Sequence, residues 1–182
     1  MKTLYKITLL FAFVLLLSDF TFAQTEHEKG IELYHQGKYQ EAVISLQKTI
    51  DADKNNQESW LYLGMSFAKL KKDEKAIDAF KEADKLPKKV LGKNEKAAKI
   101  TAKPIPPYTD SARQNQVQGT IALAVEFGVD GTIKSIFPFQ TLPNGLTKNT
   151  VEATRKINFE PAAKDGRPVS EIRIIRYSFT IH

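Results

Sequence analysis

The sequence predicts an α+β protein in which N-terminal all-α helical hairpins precede a small three-stranded antiparallel sheet with two helices. Residues within the segment 24–56 align with residues within the segment 57–90 at a constant spacing of 34, which indicates a repeated helical unit. The proline-rich segment 103–107 then interrupts any helix. Beyond it, apolar and polar residues alternate with a period of two, which is typical of half-buried strands. The two halves of the chain therefore predict different architectures.

The first 23 residues predict export. Lys2 and Lys6 precede an apolar run over residues 7–17, and Thr21-Phe22-Ala23 follows the small-x-small pattern of a signal-peptide cleavage site. A spanning helix needs roughly 20 apolar residues, about twice this run. We therefore expect cleavage after Ala23 and a periplasmic protein, whereas retention of the segment would anchor the chain in the inner membrane. The chain has no cysteine, which excludes disulfides and a lipid-modified cysteine.

The net charge of +6 is concentrated in one segment. Residues 85–103 contain seven lysines and one glutamate, so this connector alone accounts for the excess. Its positive charge would attract acidic envelope polymers or lipid headgroups. The alternative is that the lysines only keep the linker exposed to solvent. We predict no nucleic-acid partner, and only peripheral membrane contact unless the signal segment is retained.

The repeated unit places small and large residues at matching positions. Gly30 aligns with Gly64, and Leu46 aligns with Phe80. Small residues let two helices cross closely, and the large ones fill the layer between repeat units. A period of 34 with two helices per unit is typical of tetratricopeptide (TPR) repeats. We therefore predict two TPR repeats in residues 24–88, the second matching the consensus at Trp60, Leu63, Gly64, Phe67, Ala76, Phe80 and Ala83.

Two repeats are fewer than such arrays need to bury a continuous core. We interpret residues 89–106 as a Lys/Pro-rich capping segment and linker. Its apolar residues have spacings that allow a short, lysine-faced capping helix: Val90, Leu91, Ala97, Ala98 and Ile100. Docking of the C-terminal domain and self-association are the alternatives.

The resemblance to TPR repeats implies a concave face lined by the first helix of each unit. On this chain that face would form a shallow groove for a peptide or a helix. The alternative is that these side chains pack against the neighbouring repeat. The positions are His27, Ile31, Tyr34, Glu58, Leu61 and Met65.

Residues 107–182 predict a separate α+β domain. One side of a strand is apolar, and Asp130-Gly131 is a hairpin turn signal; the residues of the apolar side are Ile121, Leu123, Val125, Phe127 and Val129. The predicted elements are a short helix over 110–115, strands over 119–129 and 132–139, a helix over 147–156 and a last strand over 170–181.

The same segment resembles the TonB C-terminal domain family. The matching motifs are, in order, Pro107-Tyr108, Ala112-Arg113, Gly119, Asp130-Gly131, Phe159-Glu160-Pro161-Ala162 and Gly166-Arg167-Pro168-Val169. The resemblance implies a module whose exposed edge strand pairs with a peptide from an outer-membrane receptor. The candidate edge is the last strand, with the partner-reading positions Arg173, Ile175, Tyr177 and Phe179. Burial of the apolar ones in the domain core is the alternative.

No catalytic constellation accompanies these motifs. The sequence has no metal-ligand spacing, phosphate loop or nucleophile with a base, so we predict no enzyme, cofactor or metal. The leading hypothesis is an envelope protein-binding module of the TonB family, engaging a TonB-dependent receptor or another envelope protein in TonB-linked transmembrane transport. A soluble periplasmic TPR adaptor or scaffold without a role in transport is the alternative. A homo-oligomer paired through edge strands is a third option.

Overall fold

The computed structural model describes residues 25–181. This range divides into two compact units, one ending at Pro87 and the other beginning at Lys88. The predicted signal peptide lies outside the described residues, so export stays a prediction. Within residues 25–181, no helix combines the length and hydropathy needed to cross a bilayer.

Within residues 25–87, the described part of the first unit, the chain forms four helices. Helix α1 covers residues 25–35, α2 covers Tyr39–Ala52, α3 covers Gln57–Lys69 and α4 covers Asp73–Lys85. They form two successive helical hairpins, and α2 and α4 begin 34 residues apart. The helical region is therefore compatible with the predicted TPR-like repeats.

The helices of each hairpin meet where the repeat has glycine. A Cβ atom built on Gly30 would lie 2.7 Å from Cγ of Leu46, and one on Gly64 would lie 2.7 Å from Cε1 of Phe80. Real Cβ atoms do not approach other atoms so closely. The close helix crossings predicted from small residues are present in both repeats, and the large residue at each crossing lies against the glycine.

Both first helices of the hairpins end in the same hydrogen-bonded turn. Lys38 donates its amide hydrogen to the carbonyl of Leu33, and Gly37 donates to Tyr34. These two bonds define a Schellman motif, whose penultimate residue adopts positive φ. Gly37 has φ +77°, and Lys71 occupies the same position in the second repeat with φ +57°.

Over residues 88–181, the second unit contains eight strands and two helices. Helices α5 and α6 span Asp110–Gln114 and Leu146–Thr154. The strands are β1 Glu95–Lys96, β2 Lys99–Ala102, β3 Gly119–Phe127, β4 Ile133–Gln140, β5 Asn158–Glu160, β6 Ala162–Lys164, β7 Arg167–Val169 and β8 Glu171–Phe179. The main sheet is antiparallel with the order β4-β3-β8. The predicted α+β class with a three-stranded sheet is confirmed.

One face of the main sheet forms the core of this unit. The alternating residues of β3 that were predicted to share a face, from Ile121 to Phe127, are all buried there. Ala112 of α5 and Leu146 of α6 belong to the same cluster and are fully buried. Thr109 caps α5 by accepting the amide hydrogen of Ala112 at 3.1 Å. Val129, expected on the same face, is instead 49% exposed beyond the end of β3.

The predicted capping helix is wrong. Residues 95–96 and 99–102 are strands β1 and β2, which pair with β6 and β5 in two small additional sheets. Residues 158–164 also form strands β5 and β6 on either side of Pro161, where no strand was predicted from the sequence.

The apolar residues of the connector explain why no helix forms. Val90 and Leu91 are exposed, so they contribute nothing to an apolar helix face. Ala98 is 3% exposed and Ile100 packs against the core of the second unit. Pairing of β2 with β5 supplies backbone partners for the stretch that carries Ile100, so the extended form is favoured over a helix.

Candidate partner-binding edge

Strand β8 lies at one edge of the main sheet. It pairs only with β3 in the described chain, through an unbroken nine-residue register from Gly119↔Phe179 to Phe127↔Glu171. An edge strand leaves alternate backbone N–H and C=O groups pointing away from its neighbour. The length and regularity of β8 make it a continuous template for a further strand.

One hydrogen bond identifies which residues point outward. The main-chain carbonyl of Arg176 accepts a 2.8 Å hydrogen bond from the ammonium of Lys103, so it faces away from β3. Residues two apart in an antiparallel strand direct their backbone groups to the same side. The outward set therefore also contains Ile172, Ile174 and Ser178, and their side chains lie on the sheet face opposite the core.

The predicted reading positions on β8 face inward. Ile175, Tyr177 and Phe179 are 6%, 8% and 5% exposed and belong to the core, the alternative that the sequence left open. The Tyr177 hydroxyl lies 3.5 Å from that of Thr154, and burial raises its pKa. The ring of Phe179 meets that of Tyr108 edge to face. These side chains therefore hold β8 in place and are not available to a partner.

The fourth predicted position, Arg173, contacts the connector. Its guanidinium donates to the carbonyl of Ala98 at 2.7 Å and lies 3.9 Å from the carboxylate of Glu171. Ala98 in turn donates its amide hydrogen to Glu171 at 2.6 Å. Glu171 and Arg173 thus bind the connector beside the first residues of β8.

Lys103 of the connector contacts this edge, and the sequence did not predict that contact. Besides its bond to the Arg176 carbonyl, its ammonium lies 4.2 Å from the centroid of the Tyr177 ring. The residue is exposed, yet its ammonium is partly desolvated at this position, which lowers its pKa. The sequence contained no signal for this contact, because Lys103 is one of seven connector lysines and lies 73 residues from Arg176.

The opposite edge of the sheet, β4, is poorly suited to accept a strand. Its register with β3 shifts at both ends, and Pro138 has no N–H to offer. Lys134 places a charge near its start, where it pairs with Asp130 of the hairpin. Bulges, proline and lysine are features that natural edge strands use against pairing.

Most of the predicted TPR groove residues are buried. Tyr34, Leu61 and Met65 are 3%, 6% and 1% exposed. His27 is 7% exposed, with its ring 2.8 Å from the Ser59 hydroxyl. These residues therefore do not present an open groove.

The two remaining groove positions are partly exposed. Ile31 has intermediate burial, and the carboxylate of Glu58 lies 3.4 Å from Nε2 of His27. The contact joins α1 to α3, so Glu58 takes part in packing between the repeats. Within residues 25–181, no three His, Asp or Glu side chains are grouped so that they could hold a metal ion.

The comparisons with known proteins concern the second half of the chain. Residues 104–181 match the family model of the Gram-negative bacterial TonB protein C-terminal, which confirms the resemblance recognised in the sequence. This family comprises non-enzymatic protein-interaction domains of envelope proteins.

A solved structure is also similar to part of the chain. The solution NMR structure of the Pseudomonas aeruginosa TonB CTD has 21% sequence identity and a TM-score of 0.39, and the match covers 50% of this chain and 89% of that chain. No curated protein matches the chain.

Proposed function

We propose that this protein is an envelope protein-binding module that accepts an extended segment of an outer-membrane receptor, or of a related partner, as an added strand on β8. The observation that carries the proposal is the unbroken nine-residue outer strand, with the backbone groups of Ile172, Ile174 and Ser178 directed outward. The family match over residues 104–181 supports a protein-interaction role. We propose the periplasm as its location, and a mature N-terminus at Gln24 would support export.

Backbone pairing supplies the affinity in this mode of recognition, and side chains at alternate positions adjust it. The burial of Ile175, Tyr177 and Phe179 favours β8 as a rigid template, because these side chains hold its backbone in place before a strand adds. The soluble TPR adaptor is the weaker hypothesis, since four of its six groove residues are buried.

The experiment compares proline substitutions at the two edges of the sheet. The chain from Gln24 to His182 is titrated with TonB-box peptides from receptors of the same organism, and amide hydrogen exchange is followed by NMR. We expect the amides of Ile172, Ile174 and Ser178 to become protected. Ile174→Pro removes an outward donor and should abolish binding, whereas Ile136→Pro on β4 should preserve it, because β4 is not the docking edge.

Melting temperatures of both variants establish that they remain folded. Failure of a folded wild-type chain to bind any receptor peptide would contradict the proposal, as would equal loss of binding in both proline variants. Concentration-dependent sedimentation without any peptide effect would instead indicate that β8 pairs with a second copy of the chain.

A further inference from the structure

The ammonium of Lys103 occupies a backbone acceptor of β8 that any added strand would need. Its ammonium donates to the carbonyl of Arg176 at 2.8 Å, and that carbonyl is one of the outward acceptors of the edge. An incoming strand requires the same carbonyl for one of its own N–H groups. The ammonium must therefore move when the strand arrives, and its flexible stem and three donors allow it to find a new acceptor.

The ammonium of Lys103 has only neutral partners among the described residues. These are the Arg176 carbonyl and the face of the Tyr177 ring. Partial desolvation lowers the pKa of Lys103, because no nearby carboxylate compensates for the lost water. A negative charge at this place would stabilise the ammonium more than either neutral partner does.

Glu171 at the start of β8 and Glu160 on β5 are each engaged with other groups. Glu171 accepts the amide hydrogen of Ala98 at 2.6 Å and lies 3.9 Å from Arg173. Glu160 pairs with Lys99 at 3.3 Å on the small sheet formed by β2 and β5. Neither carboxylate is within ion-pair distance of Lys103 in the described structure.

The charges of the edge favour an acidic partner. Arg173 and Arg176 of β8, together with Lys103, supply three positive charges against the one negative charge of Glu171. Charge complementarity of this kind selects among partners and raises the association rate. A side chain of the added strand that lies on the core side of the sheet, next to Tyr177, is the one closest to the displaced ammonium.

We propose that Lys103 is a specificity-determining residue of the β8 edge, and that it selects extended partner segments carrying Asp or Glu beside Tyr177. The inference rests on the proposed function, because it names the chemistry of the strand that β8 accepts. In the absence of a partner Lys103 caps the Arg176 carbonyl. When the strand adds, the ammonium exchanges this neutral acceptor for a carboxylate.

A double-mutant cycle tests this exchange. The probes are a short synthetic peptide of alternating threonine and valine with a single aspartate, placed at each position in turn, and its asparagine counterparts. We expect one aspartate position to bind the wild-type chain about tenfold more tightly than asparagine does, a preference that added salt should weaken. Lys103→Met keeps the aliphatic stem over Tyr177 and should make the two peptides bind equally.

The matched control is Lys99→Met. Lys99 belongs to the same connector but pairs with Glu160, so its loss should leave the aspartate preference unchanged. Persistence of the preference in Lys103→Met would overturn the inference. So would tighter binding of both peptides to that variant, since Lys103 would then only compete for the Arg176 carbonyl.

The design also separates this inference from the proposed function. If the wild-type chain binds receptor peptides but shows no aspartate preference with the synthetic probes, the inference alone fails. If the folded chain binds no extended peptide of either kind, both fail.

Discussion

The ring of Phe80 lies so close to Gly64 that a Cβ atom on this glycine would stand 2.7 Å from the Cε1 atom. Phe80 is fully buried, so its ring has no room to retreat. The same relationship between Gly30 and Leu46, one repeat earlier, indicates that close crossing of two helices is the structural element that the repeat preserves.

We expect Gly64→Ala to destabilise the first unit by about 1–3 kcal/mol, because the added methyl group overpacks the crossing of α3 and α4. The measurement is urea unfolding followed by circular dichroism. Gly92→Ala is the control, since its Cβ would meet nothing closer than 3.7 Å. Adding Phe80→Leu to Gly64→Ala should recover part of the loss, and an unchanged midpoint in Gly64→Ala would contradict the close crossing.

The Schellman turns of the two repeats differ at one residue. Lys71 adopts φ +57° where the first repeat has Gly37, and a left-handed conformation costs a non-glycine residue about 1–2 kcal/mol. We expect Lys71→Gly to stabilise the unit by about 0.5–1 kcal/mol and Gly37→Ala to destabilise it by about 1 kcal/mol. Thermal unfolding of both variants measures the difference. Equal shifts of the same sign would argue against the turn geometry.

Thr109 joins two elements of the second unit through one hydroxyl. It accepts the amide hydrogen of Ala112 at the start of α5 and donates to the carbonyl of Asn144 at 2.7 Å. Thr109→Ala should therefore lower the free energy of unfolding by about 1–2 kcal/mol. Thr109→Ser retains the hydroxyl and should lose much less, as chemical denaturation can measure. Equal losses in the two variants would assign the effect to the methyl group instead.

The hairpin between β3 and β4 contains a carboxyl group with a low pKa. The ammonium of Lys134 and the hydroxyl of Thr132 hydrogen-bond to Asp130 and lower its pKa from 3.8 to about 2. Because the folded value is depressed, these contacts stabilise the hairpin above about pH 4 and are lost as the pH falls towards 2. NMR titration of the Asp130 carboxyl carbon should give the low value. Lys134→Met should raise it towards 3.8, whereas Lys148→Met on α6 should leave it unchanged.

Local pattern was sufficient for much of the fold. The 34-residue spacing, the close helix crossings at glycine and the alternation from Ile121 to Phe127 follow from residues near one another in the chain, where the sequence period indicates which face is buried. The alternation on β8 was recognised as well. Its more apolar side, with Tyr177 and Phe179, is the one that faces the core.

The candidate site was predicted only in part. The last strand was identified as an edge, and the structure places β8 at the edge of the main sheet. The residues proposed to read the partner were assigned by side-chain type, but backbone direction decides which residues of an edge point outward. That direction became visible only through the contact of Lys103 with the Arg176 carbonyl.

By itself, the sequence determined the helical repeat, the strands of the main sheet and the resemblance to a TonB C-terminal domain, because each depends on short-range periodicity or on an ordered set of motifs. Only the tertiary structure decided the secondary structure and the burial of the connector. Ala98 is buried with its backbone bonded to the side chains of Glu171 and Arg173, and Ile100 packs on the core where it pairs with Phe159 of β5, partners that lie about 60 to 75 residues later in the chain. Such long-range pairing produces no periodic pattern in a short lysine-rich segment. For the same reason, the contact of Lys103 with the Arg176 carbonyl of β8 could not be predicted from the sequence.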